Sequence, residues 1–279
     1  MRFGSIATIL RDTSADANTL AIAMSLSRHL KAHLAVLCTA SQPGGSGLFY
    51  TGTQAIAVHH ELAIADVNPA EVETMARDAL RFHNTSWDIE CITLHGGGLN
   101  EFLAQKIRYQ DLVILPLPYG EDRNAVDVVN FEASLFEART PVMVAPRSTK
   151  FEETPQTILV AWDNSDEALA AARAALPLIV AAKRTYIHVI EPPYHGVDRS
   201  DPGGRLAEVF ARAGAQVDIT VAARQGPNTA RQLMEQANKI GADLMVMGGY
   251  GHSRLHEAVL GGVTRTMLHE ANFPVLLAR

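Results

Sequence analysis

Two stretches half a chain apart carry the same pattern, and this limits the fold more than any single motif. "RYQDLVILPLPYGEDRNAVDVVNFEASLFEARTPVMVAP" (Arg108 to Pro146) lies over "KIGADLMVMGGYGHSRLHEAVLGGVTRTMLHEANFPVLLAR" (Lys239 to Arg279). Asp111 falls on Asp243, the apolar run 112–115 on 244–247, and Pro141-Val142 on Pro274-Val275. The beginnings agree too: "ATILRDTS" (Ala7 to Ser14) matches "ILVAWDNS" (Ile158 to Ser165), each an apolar run that ends in Asp-x-Ser. A repeat this long is no solenoid unit. It predicts two domains in tandem, 1–147 and 155–279, with the polar, Pro-bearing "APRSTKFEETPQ" (Ala145 to Gln156) as the seam.

Within the second half, strand-like and helix-like text alternates. "TILVAW" (157–162), "TYIHVI" (185–190), "AQVDITVA" (215–222), "DLMVM" (243–247) and "FPVLLA" (273–278) read as strands. The continuous apolar run of 157–162 suits a strand buried on both faces. "DEALAAARAALPLIVAA" behind the capping Asp163-Asn164-Ser165, a short segment ending at Gly214, "NTARQLMEQANKIG", and "TRTMLHEA" read as the helices between them. The first half repeats the order with a Gly-rich insert, "SQPGGSGLFYTG" (Ser41 to Gly52). The expected class is therefore α/β, as two tandem open five-stranded parallel sheets, each covered by helices on both sides.

Bulk properties exclude several classes of function. The chain has 279 residues and a formal charge of -6, so no overall field draws it to nucleic acid or to an anionic membrane. No apolar run is long enough to cross a bilayer, and the start lacks the apolar length of a signal peptide; a cytoplasmic protein is expected. Cys38 and Cys91 make no disulfide framework and read as buried free thiols.

The fourth strand of the second half runs into "MGGYGHSRLHEAVLGGVTRTML". In open parallel sheets ligands bind outside the carboxyl ends of the strands. Gly248 and Gly251 can turn the chain out of the sheet, and Gly261 and Gly262 can return it to the last helix, whose first N–H groups have no internal partner. Free N–H groups at the positive end of a helix accept anions, with His252, Arg254 and Arg265 as further cationic contacts. A bare strand-to-helix turn is the competing reading.

The spacing Gly248-x2-Gly251-x9-Gly261 resembles the nucleotide loop of the universal stress protein family, G-x2-G-x9-G-[ST]. The "FPVLL" ending and the position after a fourth strand fit tandem bacterial members of that family. The resemblance implies the Rossmann-like fold of the adenine nucleotide alpha-hydrolases and a bound ATP or other adenine nucleotide, with or without Mg. It places Asp163 near adenine or ribose and Val189 against the base. Gly248, Gly251 and Gly261 then line ribose and phosphates, and Gly262 and Val263 complete the loop's site. It further implies self-association through the terminal strands 141–145 and 274–278, which as sheet edges need covering. One residue departs from the pattern: Gly262 stands where the family offers a hydroxyl to the terminal phosphates. A lost charge-assisted hydrogen bond is worth ~1.5–3 kcal/mol, or about ten- to a hundredfold in affinity.

The first half lacks the loop. Pro116 and Pro118 have no N–H, and Glu121, Asp122 and Asp127 put negative charge where phosphate would sit, while Val129-Asn130 replace the returning glycines. One site per chain is expected. Elsewhere, His59-His60-Glu61 lacks metal-ligand spacing, and "HGGGLN" (His95 to Asn100) lacks the Gly-x-Ser-x-Gly elbow that an esterase needs. No Walker pattern is present. Three functions follow in order: a nucleotide-binding module, a nucleotide-free interaction scaffold, and last a slow ATP hydrolase, for which no catalytic base is legible.

Overall fold

The computed structural model describes residues 2–41, 68–94, 99–120, 123–149, 154–191, 201–250 and 262–279. The chain divides into two units, residues 3–152 and residues 153–279 with the first two residues. The N-terminal unit runs β1 (Ser5–Leu10), α1 (Ala17–Leu30), β2 (His33–Ser41), α2 (Pro69–Leu80), β3 (Trp87–Leu94), α3 (Leu99–Ile107), β4 (Leu112–Pro116), α4 (Ala125–Glu132) and β5 (Val142–Ala145). Helix α4 continues as a π-helical turn over Ala133–Glu137. The C-terminal unit runs β6 (Thr157–Ala161), α5 (Asp166–Ala174), α6 (Leu176–Ala181), β7 (Arg184–Ile190), α7 (Gly204–Arg212), β8 (Val217–Ala222), α8 (Thr229–Ile240), β9 (Leu244–Gly248), α9 (Gly262–Glu270) and β10 (Val275–Ala278).

Each unit is an open parallel α/β sheet. The strand order is β3-β2-β1-β4-β5 in the first unit and β8-β7-β6-β9-β10 in the second. The chain works outward from β1 to β3, then returns to the other side of β1, and from β6 it does the same. The strands on either side of the reversal are β1/β4 and β6/β9. Strands β4, β5 and β10 are buried along their whole length: Leu112–Pro116, Val142–Ala145 and Val275–Ala278. Strand β8, at one end of its sheet, is less buried than the others, with Ile219 and Val221 exposed.

Local chemistry explains the boundaries. Asp111 Oδ2 accepts the amides of Gly4 and Ser5 (2.7 and 3.0 Å), and the aligned Asp243 accepts those of Gln156 and Thr157 (2.8 and 3.0 Å). Each clamps the chain where the first strand of its unit begins. Helix α8 starts at the Asn228 cap and stops at Gly241, whose φ of 64° suits a residue without Cβ. The helical text after Ser165 breaks into two helices, because Pro177 has no N–H to bond the preceding turn.

Candidate functional site

The site-forming geometry of the C-terminal unit begins where β6 and β9 part. Their ladder ends at Val160 opposite Val246, and the residues beyond it, Ala161, Trp162, Met247 and Gly248, open a cavity of about 400 Å³. Its wall is completed by Asp163 and by His188 and Ile190 of β7. Arg224 after β8, Thr229 and Leu233 of α8, Tyr250, and Gly262 to Thr264 at the start of α9 close it. That volume lies within the range of small-molecule sites, and the place is the switch point where open α/β sheets bind ligands. The opening turn of α9 contributes N–H groups that no intrahelical carbonyl can take.

Around the cavity the polar groups have defined roles. Asp163 Oδ1 accepts the amide and the hydroxyl of Ser165 (3.0 and 2.6 Å), and the Ser165 hydroxyl accepts the Ala168 amide at 3.1 Å. The cap of α5 is thus Ser165, with exposed Asp163 one step behind it. Arg224 reaches the cavity while paired to Glu191 at 2.9 Å, a half-exposed contact that solvent screens. His188 is 3% exposed; burial pushes its imidazole below the ordinary histidine pKa and keeps it neutral. Its Nδ1 meets the Thr220 hydroxyl at 2.8 Å, and Nε2 is buried without a hydrogen-bond partner among the described residues.

The structure brings Asp163, Gly248, Gly262 and Val263 of the expected residues into one wall. Gly251, His252, Arg254 and Gly261 lie outside the described residues. Val189 is absent from the wall. Strand alternation sends its neighbours His188 and Ile190 into the cavity and turns Val189 toward α7, near Gly203. Gly248 is a glycine for a different reason from the turn first assigned to it. It still belongs to β9, and a Cβ there would stand 2.7 Å from the Ala168 amide nitrogen and 2.9 Å from the Glu167 carbonyl carbon. The first turn of α5 sits directly on it. The left-handed residue after the strand is Tyr250, at φ 57°, a conformation that costs about 1–3 kcal/mol outside glycine.

Sequence reasoning missed Trp162, His188, Ile190, Arg224 and Tyr250. Three of these could have been found: Trp162 ends an apolar run at the switch point, and His188 and Ile190 flank Val189 with the opposite parity.

In the N-terminal unit the corresponding place is full. Arg11, one residue past β1, gives Nε and Nη2 to the two carboxylate oxygens of Asp127 (2.8 and 2.7 Å). Asp127 also accepts the Asn124 amide at 2.9 Å in a capping box at the start of α4. Arg123 binds Asp16 Oδ1 at 3.0 Å, and the other Asp16 oxygen takes the amides of Arg11 and Asp12 (2.8 and 3.0 Å). Burial works against charge on Arg11, but the hydrogen bond and charge of Asp127, with Asp16 and Asp12, outweigh it and hold the guanidinium protonated. Val129 and Asn130, aligned with the returning glycines, lie inside α4 and are buried. Ser14 is no cap here: it donates to Asp12, and Asp16 precedes α1.

The comparisons with known proteins meet this geometry. The model of the family described as "Universal stress protein family" matches residues 155–279. Those residues are a universal stress protein domain. Across the whole chain, a universal stress protein from Archaeoglobus fulgidus DSM 4304 superposes with a TM-score of 0.67 at 14% identity, covering 98% of both chains. A functionally unknown protein from Pseudomonas aeruginosa PAO1 does so at 0.60 and 16%, covering 98% of this chain and 92% of its own. These likenesses establish the fold of both halves. A universal stress protein in complex with cAMP is 27% identical over 46% of this chain and 98% of its own, with a TM-score of 0.35. No curated protein matches the chain. The universal stress domain therefore begins close to β6 and holds the whole cavity.

Other candidates fall away or lie elsewhere. Cys38 and Cys91 are neighbours in the β2–β3 ladder, and only Cys38 is buried; Cys91 is exposed, contrary to expectation. Burial raises their thiols to about 12 and about 11, far from thiolate chemistry at neutral pH. Among the described residues no group of three His, Cys, Asp or Glu could hold a metal. No helix among them is long and apolar enough to cross a membrane. His59 to Glu61, His95 to Gly98 and the Gly-rich insert after Ser41 lie outside the described residues.

Proposed function

We propose that the C-terminal unit is a binding module for an adenine nucleotide and that the N-terminal unit keeps the fold without a ligand site. The observation that carries this reading is the cavity at the β6/β9 switch point, walled by the start of α9 on one side and by Trp162 and His188 on the other. The phosphates lie toward α9, where free amides and the helix N-terminus favour anions. The base lies toward β7, where an indole, an imidazole and Ile190 offer flat or apolar surface. Asp163, whose second carboxylate oxygen makes no hydrogen bond to a described residue, is placed for a ribose hydroxyl. A Mg ion, if present, is carried in by the phosphates.

Calorimetric titration of the full chain with ATP, ADP and AMP tests the module. Saturable binding is expected with all three, and it is expected to be lost in Gly251→Val. Heats equal to dilution for every nucleotide would leave an interaction scaffold instead. Self-association through residues 141–145 and 274–278 belongs to the same proposal. Sedimentation with and without ATP measures it, and a single monomeric species under both conditions removes it.

A further inference from the structure

We infer that Cys38 and Cys91 form a thiol–disulfide exchange site in the N-terminal unit, where a low-molecular-weight disulfide such as oxidised glutathione converts the pair to an intramolecular disulfide that ties β3 to β2. The site owes nothing to the nucleotide reading above.

The ladder brings the two thiols together. Cys38 of β2 and Cys91 of β3 are Cα partners in a parallel pair, so both side chains leave the sheet on the same face. Neighbouring strands lie about 4.7–4.9 Å apart, within the roughly 4.4–6.8 Å that separates the Cα atoms of a disulfide. The thiols are hydrogen-bonded to each other. Among the described residues β3 pairs with no strand but β2, so it is held from one side and can yield the little that a bond requires.

The two thiols differ in access, which fixes their roles. Cys91 is exposed and meets the external disulfide, whereas Cys38 is buried and enters the exchange through Cys91. The Cys91 thiol donates to Glu73 Oε2 at 3.0 Å, and Glu73 Oε1 is paired with Arg77 at 2.7 Å. In the first step the Cys91 sulfur, as thiolate, attacks one sulfur of oxidised glutathione. A Cys91–glutathione bond forms, the glutathione S–S bond breaks, and the leaving thiolate takes up the proton that Cys91 lost. In the second step the Cys38 sulfur attacks Cys91, the Cys38–Cys91 bond forms, and the second glutathione leaves with the Cys38 proton. Two protein thiols are oxidised and one external disulfide is reduced to two thiols. Cys38 needs no path to solvent, because the sulfur it attacks belongs to its neighbour in the ladder.

Electrostatics make the exchange slow and its product durable. Desolvation, then the hydrogen bond and charge of Glu73, raises the Cys91 thiol to about 11, with Cys38 and Arg77 pulling the other way. Desolvation, then Cys91 and Glu73, raises the Cys38 thiol to about 12, against Arg77. Thiolate is scarce at neutral pH, so the attack is slow. A disulfide is strongly oxidising when its reduced pair is stabilised as thiolate, and neither thiol here is. The closed bond therefore resists reduction, and Glu73 restrains the rate at which it forms.

The test follows the intact mass of the reduced full chain in native buffer with oxidised glutathione, quenched in acid. The wild-type mass is expected to fall by two hydrogens with no glutathione retained, and both cysteines should become resistant to alkylation. The rate should rise about tenfold per pH unit above neutrality, as the thiolate fraction does. Cys38→Ser is expected to stop at the first step and keep one glutathione on Cys91, and Cys91→Ser is expected not to react. Glu73→Gln should close several-fold faster than wild type. Thermal melts show whether the variants fold, and the wild-type mass alone decides the main point if they do not.

A wild-type chain that keeps glutathione on Cys91, or that is unchanged in mass after prolonged incubation at alkaline pH, would overturn the inference. So would closure that appears only in urea strong enough to unfold the N-terminal unit. Slower closure in Glu73→Gln would make Glu73 the acceptor of the Cys91 proton and overturn its restraining role.

Discussion

Arg11 and Trp162 occupy the same place in their two units, one residue beyond the first strand and one before an Asp-x-Ser turn. Around Trp162 the chain leaves a cavity; around Arg11 it packs Asp127, Arg123 and Asp16. The backbone plan is shared down to the aspartate that clamps the first strand, so the fold does not decide what stands beyond that strand. A few side chains do. In the C-terminal unit the start of α9 faces a cavity, whereas in the N-terminal unit the start of α4 receives a carboxylate from its own chain. Asp127 supplies at that helix the negative charge that a phosphate would bring, and Arg11 and Arg123 neutralise it.

The hardest test of that contrast removes the internal anion. Asp127→Ala removes the carboxylate that binds Arg11 at 2.7 Å and lies 3.6 Å from Arg123, two largely buried guanidinium groups. Breaking a buried pair by deleting one partner costs about 3–5 kcal/mol. Urea unfolding followed at Trp87, which lies in β3, reports the N-terminal unit, with Trp162→Phe used to silence the other tryptophan. Replacing the pair together, Arg11→Met with Asp127→Leu, is expected to recover most of the loss, because the desolvation of both charges disappears with them. A change below about 1 kcal/mol for Asp127→Ala would show a solvated cluster, and the unit would then be vacated rather than filled.

A second test works at the matching strand ends. Pro116 pairs with Ala145 and Gly248 with Ala278, so proline in one unit answers glycine in the other. Proline is tolerated at the end of β4, while Gly248 carries the first turn of α5 against its Cα. Gly248→Ala must push backbone rather than a flexible side chain, and overpacking of this kind costs about 1–3 kcal/mol. The loss is expected in the C-terminal unit alone, with weaker nucleotide binding because α5 also positions Ser165 and Asp163. An unchanged urea midpoint would mean that α5 yields easily and that Gly248 serves the ligand directly.

These residues also show what the sequence could and could not disclose. The parallel sheets were legible because buried strands need unbroken apolar runs, and Leu112–Pro116 and Leu244–Gly248 supply them. The aspartates Asp111 and Asp243 kept the two halves in register. The ion pairs that fill the first unit were half legible, because Asp127 was already visible as negative charge near the helix start. Its partner was not, since Arg11 lies more than a hundred residues earlier and only the β1/β4 pairing brings the two together. Val189 is absent from the cavity wall that its neighbours His188 and Ile190 line, because a strand alternates its faces and a resemblance does not say which face is which. Gly248 was visible as a glycine, but a glycine's reason is steric and the atoms that demand it come from another helix. His188 sits in a run that reads as plain strand, and only the fold brings it to the cavity.

The smallest effect addresses the one departure from the family pattern. Gly262 opens α9, is exposed, and a Cβ added there would meet nothing within 4 Å. Serine therefore fits without strain, and its hydroxyl would stand at the first turn of the helix, which lines the cavity. Gly262→Ser is expected to leave stability within about 0.5 kcal/mol. It should tighten ATP about tenfold through one added charge-assisted hydrogen bond. AMP affinity should not move, since its phosphate lies nearer the ribose than the helix. An equal gain for ATP and AMP would place the α-phosphate at α9, and no gain for either would turn the ligand around in the cavity. Within the N-terminal unit no such single substitution can create a site, because the space before α4 is taken by Arg11 and Asp127 rather than lacking a hydroxyl.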